Sequence, residues 1–240
     1  DRGDSNIMLL TTTSIAALSF FQKLTDLISS AHDGVSQRKY QELQERRHRL
    51  LINLLEARSL RRRSVVGLEV GVQSGNFSIA QLAGGHQRLH LVDPWRHLVD
   101  WKKPANVKQG AHDALYRSVL ERVVRRFGSD RVIVHRNTSE AAALEFADES
   151  LNYIYIDGDH TVGGVLADCL LWWPKLKPGG LFFGDDFTCS LQHGMQYDPT
   201  CVSTVVRTMA RVAWGNVTVL EPGLEQFAID KPRRARARDL

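Results

Sequence analysis

The chain reads Asn152-Tyr-Ile-Tyr-Ile-Asp-Gly-Asp-His160, then an apolar segment ending Trp172-Trp-Pro-Lys-Leu-Lys-Pro-Gly-Gly180, then Leu181-Phe-Phe-Gly-Asp-Asp-Phe187. Tyr153–Ile156 is a run of β-branched and aromatic residues that stops at Asp157, as a strand does. Val162, Val165, Leu166, Cys169 and Leu170 fall at helical spacing within Val162–Trp173. Pro174, Pro178 and Gly179-Gly180 end that helix and turn the chain. Leu181–Gly184 is a second apolar run, closing on Asp185-Asp186. Two strands joined by a crossover helix are parallel. As neighbours they lie roughly 4.8 Å apart. Asp157, Asp159, Asp185 and Asp186 then share the C-terminal edge of the sheet, where open α/β sheets bind ligands. Acids gathered there repel unless a metal, a cationic substrate or protonation offsets them. The structural alternative is that they are solvated loop residues or helix caps.

Upstream, Ser64–Val70 is the first strand, and it runs into Glu69-Val-Gly-Val-Gln-Ser-Gly-Asn76 and a helix over Phe77–Ala83. Gly71 and Gly75 let the backbone turn sharply and approach a ligand with no Cβ in the way. A second strand, Leu89–Val92, closes at Asp93, 18 residues beyond Gly75 and well placed for ribose hydroxyls. The glycine spacing is not that of a dinucleotide cradle, so a nucleoside carrying a carboxylate and an amine fits better. Ala111–Phe127 is an amphipathic helix ended by Gly128, and Arg131–His135 a third strand, followed by Asn137-Thr138-Ser139 at the same edge. Ala141–Phe146 is a short helix, Gln192–Pro199 a loop and Val202–Trp214 a helix. Val217–Leu220 and Gln226–Ile229 pair as a closing hairpin across Glu221–Leu224. This alternation predicts a doubly wound, mostly parallel seven-stranded sheet.

Before the first strand, Ile7–Ser30 is apolar and helical in pattern. Gln37–Arg58 is a charged helix with a stripe of Leu43, Leu50, Leu51, Leu54 and Leu55, which faces the core or a second copy of the chain. The expected organisation is a helical extension over residues 1–62, a catalytic domain over 63–232 and a basic tail over 233–240. With 240 residues and 43% apolar content the chain builds one sizeable core. Its net charge of +4 is concentrated in Arg61-Arg62-Arg63 and in Lys231, Arg233, Arg234, Arg236 and Arg238. No aromatic residues interleave with these as a single-strand groove requires, so nucleic acid is not the expected partner. Cys169, Cys189 and Cys201 form no C-x-x-C pair, which fits the cytoplasm or another reducing compartment. No long uncharged apolar run is present, so no membrane span is expected, and Ile7–Phe21 lacks the flank of a secretory signal. The first residue is not Met, as in a processed or trimmed chain.

The pattern of Glu69-x-Gly71-x-x-x-Gly75, Asp93, Ile156-Asp-Gly-Asp-His160, Pro174-x-Leu-x-Pro-Gly-Gly180 and the closing hairpin resembles the class I S-adenosylmethionine-dependent methyltransferases. Asp-Gly-Asp-His followed by Gly-Gly-x-x-x-Gly-Asp-Asp-Phe is similar to the branch of macrocin-type sugar O-methyltransferases and cephalosporin-hydroxylase-like proteins. The resemblance covers Ser64 to Pro232 and implies a Rossmann-like fold. It implies that Glu69, Gly71 and Gly75 line the methionine end of S-adenosylmethionine, that Asp93 holds the ribose, and that Asn137, Thr138 and Ser139 lie near the adenine. It implies further that Asp157, Asp185 and Asp186 hold a divalent cation, with Mg²⁺ favoured by oxygen-only ligands. The implied acceptor is a small-molecule hydroxyl of sugar or natural-product type.

A cation there lowers the pKa of the acceptor hydroxyl, and His160 is the candidate base with Asp159 second. The bland role for His160 is to cap the helix that begins near Thr161, and His193 is a weaker candidate base. Three other classes stay open. One is a nicotinamide-dependent oxidoreductase and another a catalytically inactive binding protein of the same fold. The third is a nucleic-acid methyltransferase, for which no Asn/Asp-Pro-Pro-Tyr motif is present. A homodimer through the N-terminal helices is the expected assembly.

Overall fold

The structure, a computed structural model, describes residues 37–99, 105–187, 201–214, 216–220 and 224–233. The chain divides into two compact units, residues 1–45 with 190–196, and residues 46–189 with 197–240. In the first, the described residues are 37–45, all helical. Ile7–Ser30, the Gln192–Pro199 loop with His193, and the tail beyond residue 233 lie outside the described residues.

Helix α1 (Gln37–Ala57) leads to β1 (Val66–Val70), α2 (Asn76–Leu82) and β2 (Arg88–Val92). Next come α3 (Gln109–Val119), which continues through a wider π-helical turn at Leu120–Val124 to Phe127, and β3 (Val132–His135). Then follow α4 (Ser139–Ala143), β4 (Leu151–Ile156), α5 (Val162–Trp172) and β5 (Leu176–Gly184). The chain closes with α6 (Cys201–Met209), β6 (Thr218–Val219) and β7 (Phe227–Asp230). The seven strands form one sheet in the order β3-β2-β1-β4-β5-β7-β6. β1 to β5 are parallel, whereas β7 runs antiparallel to β5 and β6. This is the doubly wound Rossmann-like sheet the sequence predicts.

Period-two alternation sends the strand side chains to two cores. Ile154, Ile156, Leu68 and Phe182 pack with Val165, Cys169 and Trp172 of α5 and Val202 and Val206 of α6. Tyr153, Tyr155, Leu89, Leu91 and Phe183 pack on the other face with Phe77, Val119, Val123, Leu51 and Leu55. Leu51 and Leu55 are fully buried, so this part of the α1 stripe faces the core. Residues 46–57 of α1 therefore belong to the same compact unit as the sheet.

Two local expectations change. The Pro178-Gly179-Gly180 segment does not separate helix from strand but lies inside β5. Leu151 pairs with Leu176 while Tyr153 pairs with Leu181, so the extra residues of β5 form a bulge against β4. The bulge is held by Gly179 N–H to Lys231 O (2.9 Å) and Lys231 N–H to Gly180 O (2.8 Å). The α3 helix, expected to be uninterrupted, widens at Leu120–Val124, beside the turn that follows β1.

Candidate functional site

The site begins at the turn after β1. Gly71 and Gly75 have φ of 85° and 76°, a region that glycine enters without strain. At Gly71 there is also no room: a Cβ would lie 2.0 Å from the Asp157 carbonyl oxygen. That contact exists because Asp157 N–H donates to Val70 O (2.9 Å), while Gly71 N–H donates to Val92 O (3.0 Å). The turn is thus sewn to the ends of both β2 and β4. A Cβ at Gly75 would meet Val123 at 2.9 Å, and Arg122 bonds Ser74 O and Asn76 Oδ1, so α3 buttresses the turn from outside.

Asp93 organises this turn directly. Its carboxylate accepts from the backbone N–H groups of Val72 (3.1 Å), Gln73 (2.9 Å) and Trp95 (2.8 Å). Burial pushes its pKa up, and these three bonds pull against that. Glu69 does not line a cavity. It is 1% exposed, and its Oε2 accepts from Ser78 Oγ (2.8 Å) and Gln81 Nε2 (2.7 Å), bracing β1 against α2. Burial raises its pKa to about 8.

A cleft of about 290 Å³ opens beside Asp93, lined by Pro94, Arg96, Gln109, Arg136, Asn137 and Thr138. Thr138 caps α4 by accepting from Ala141 N–H (3.3 Å), and Asn137 Oδ1 accepts from Thr138 N–H (3.0 Å). Ser139 is not among the lining residues. Its hydroxyl donates to Asp168 and accepts from Trp172 Nε1 (2.7 Å), tying α4 to α5. Arg136 closes one wall by bonding Trp95 O (3.0 Å) and Asp113 and lying over the Tyr116 ring at 4.6 Å.

The acids after β4 and β5 do converge, but in a different grouping from the expected one. Asp157, His160 and Asp186 each offer a donor atom, all within 4.8 Å of one another. His160 Nδ1 lies 2.9 Å from Asp186 and Nε2 lies 3.3 Å from Asp157. Asp185 instead pairs with Arg47 of α1, and the same guanidinium lies 3.5 Å from Asp186. Asp159 turns away: it accepts from Thr161 N–H (3.1 Å) and Oγ1 (2.9 Å), while Thr161 caps α5 through Gly164 N–H (3.1 Å). The cap of α5 is therefore Thr161, with Asp159 behind it, and His160 is left to face the acids.

The electrostatics follow from this packing. Burial alone would lower the His160 pKa, but hydrogen bonds and charge from Asp157 and Asp186 outweigh it and raise it to about 10. Asp186, despite its burial, is held down at about 2 by His160 and Arg47. Burial and the charge of Asp157 push Asp185 up, against the pull of Arg47. Asp186 also has φ of 53°, a costly conformation for a non-glycine residue, which the surrounding ion pairs hold in place.

Two members of this site were missed in the sequence, Arg47 and Tyr155. The Tyr155 hydroxyl donates to Asp157 Oδ2 (3.3 Å), and its ring packs at a tilt against Phe77, which packs at a tilt against His48 of α1. The signal for Arg47 was its phase. It stands four residues before Leu51 and eight before Leu55, so a charged residue continues the buried leucine stripe.

Residues 68–187 match a family model described as a methyltransferase domain. No curated protein matches the chain. Among solved structures, a putative caffeoyl-CoA O-methyltransferase from Staphylococcus aureus is similar at TM-score 0.58 and 12% identity, over 88% of this chain and 99% of that one. The O-methyltransferase TomG from Streptomyces achromogenes, involved in tomaymycin synthesis and solved with SAM, is similar at TM-score 0.53 and 14% identity, over 88% and 89%. An O-methyltransferase from Bacillus cereus solved in complex with SAH reaches TM-score 0.50 at 17% identity, over 88% of each chain. At these identities the likeness speaks for the fold.

Proposed function

Because the chain belongs to the family described as a methyltransferase domain, matched over 120 of its 240 residues, we propose that it moves a methyl group from S-adenosylmethionine to the hydroxyl of a small-molecule acceptor, assisted by a divalent cation. One observation carries the reading. The glycine turn and the acidic cluster are contiguous, with Gly71 packed against the Asp157 carbonyl, so a nucleoside on the turn stands beside the acids. The similarity to the O-methyltransferases named above supports the same choice of reaction.

The chain fits the cofactor at two places. Gly71 lets the turn lie against the Asp157 backbone, where a side chain has no room, and the 290 Å³ cleft beyond Asp93 lies on the same sheet edge. Gly71 and Gly75 would face the methionine end, Asp93 the ribose through lone pairs its backbone partners leave over, and Asn137 and Thr138 the adenine. Glu69 and Ser139 would act from behind, as braces. When bound, the cofactor supplies an electrophilic methyl on a sulfonium; the acceptor oxygen forms the new C–O bond as the S–C bond breaks.

The donor set also fits a divalent cation. Three donor atoms within 4.8 Å of one another close on an ion with small shifts, since ligand distances are about 2.0–2.2 Å. Asp157, Asp186 and His160 would hold it. Such an ion lowers the pKa of a bound hydroxyl. An imidazole among the donors moves the preference from Mg²⁺ toward Mn²⁺, Fe²⁺ or Zn²⁺. To ligate an ion, His160 would give up the proton it shares with the two carboxylates and offer a ring nitrogen. Arg47 and His160 already place two positive groups against three carboxylates, which favours a second reading, transfer without a cation.

The test is calorimetric titration with S-adenosylhomocysteine and with NAD, followed by turnover across a panel of hydroxyl acceptors before and after chelation. Binding of the first and not the second, with turnover lost on chelation and in Asp186→Ala, is the expected result. Binding of NAD alone sinks the methyltransferase reading, and turnover that survives both treatments sinks the cation.

A further inference from the structure

We propose that Arg47 is a positioning residue that divides the acidic cluster, holding Asp185 against α1 and leaving Asp157, His160 and Asp186 as the face that takes a divalent cation. This rests on the cation-assisted reading above. Four observations point to it. The Arg47 side chain is 14% exposed, and its guanidinium contacts Asp185 while standing 3.5 Å from Asp186. Asp185 Oδ1, the atom that meets Arg47, also accepts the backbone N–H of Asp186 (2.9 Å), so its donors are already in place. Arg47 Nε is buried with no hydrogen-bond partner, a penalty that a solvent-facing arginine avoids. Leu51 and Leu55, in phase with Arg47 and fully buried, fix the helix that aims it.

The consequence is electrostatic. A cation held by Asp186 would sit within a few ångströms of the guanidinium, and like charges at that range oppose each other even in a solvated site. Arg47 therefore weakens cation binding twice, by repulsion and by occupying a third carboxylate. It also makes residues 46–57 of α1 part of the wall of this site.

Mn²⁺ titrations of the full chain followed by electron paramagnetic resonance test this, with thermal melts to verify folding. Arg47→Met is expected to bind Mn²⁺ at least tenfold more tightly than the wild type, and Arg47→Lys within threefold of it. Asp185→Asn is expected to change little alone but to remove most of the gain in the Arg47→Met background. Should the methionine variant melt below the assay temperature, Arg47→Gln makes the same comparison. Unchanged or weaker Mn²⁺ binding in the charge-removing variant, with the wild type binding normally, overturns the proposal. No Mn²⁺ binding by any form would instead remove the cation reading on which it stands.

Discussion

Replacing Gly71 with alanine offers the sharpest test of how the site is built. The residue has φ of 85°, and holding alanine in the left-handed region costs about 1–2 kcal/mol. The new Cβ would lie 2.0 Å from the Asp157 carbonyl oxygen and 2.4 Å from its carbonyl carbon. These are backbone atoms, so no rotamer change relieves the contact. Relief needs β1 and β4 to part at their ends by about 1 Å. That lengthens the 2.9 Å bond from Asp157 N–H to Val70 O. One strained buried hydrogen bond adds about 1–2 kcal/mol. The expected loss is therefore about 3 kcal/mol in urea-induced unfolding, and S-adenosylhomocysteine affinity should fall at least tenfold. Gly110→Ala is the control: a Cβ there meets nothing within 4 Å, and it lies in the first turn of α3. That variant should be as stable as the wild type or gain up to about 1 kcal/mol. A Gly71→Ala protein within about 1 kcal/mol of the wild type, binding the ligand normally, would refute the claim that this backbone contact builds the site.

Leu51→Ala should cost about 2–5 kcal/mol in denaturant unfolding, because Leu51 is fully buried against the sheet; a loss under about 1 kcal/mol would make this part of α1 a detachable arm. Asp168, 4% exposed, has its pKa raised to about 7, chiefly by burial, so the folded chain keeps a proton that the unfolded chain releases near pH 4. Its contribution therefore falls as pH rises from about 4 to about 7, and Asp168→Asn, which still accepts from Ser139, should flatten that slope by up to about 1.4 kcal/mol per pH unit. Parallel wild-type and variant stability profiles between pH 4 and 8 would show the reasoning to be mistaken. Trp172→Phe removes one buried N–H bond to Ser139 and should lower stability by about 1–2 kcal/mol in thermal melts, with less than half of that contradicting the α4–α5 tie.

Local rules carried much of this molecule. The strand at Tyr153–Ile156, the crossover helix and the strand ending at Gly184 are each specified by residues within a few positions, so side-chain periodicity and turn chemistry sufficed. The parallel direction of the helix-linked strands followed from their crossover connections, whereas their order came from the structure. The glycine turn was legible because glycine enters positive φ without strain, as Gly71 and Gly75 do. Where sequence reading went astray, a distant partner made the difference. Pro178-Gly179-Gly180 reads as a break, yet Lys231, more than fifty residues on, pairs with it and keeps it in the sheet. Ser139, expected near the adenine, is bonded by Asp168 and Trp172, partners 29 and 33 residues away.

The acidic cluster shows the division most clearly. The sequence by itself determined that carboxylates gather at the C-terminal edge of β4 and β5, because two parallel neighbours must end on the same side. It determined too that their charge needs an offset. Which groups supply that offset was decided by the tertiary structure alone. Arg47 and Asp185 are 138 residues apart, and nothing in the short-range pattern of a charged helix names its partner. The burial of Leu51 and Leu55 rotates α1 so that Arg47 meets Asp185, and the Thr161 cap frees His160 to bridge Asp157 and Asp186. Packing of apolar faces set those orientations, and the charges then met where packing had put them.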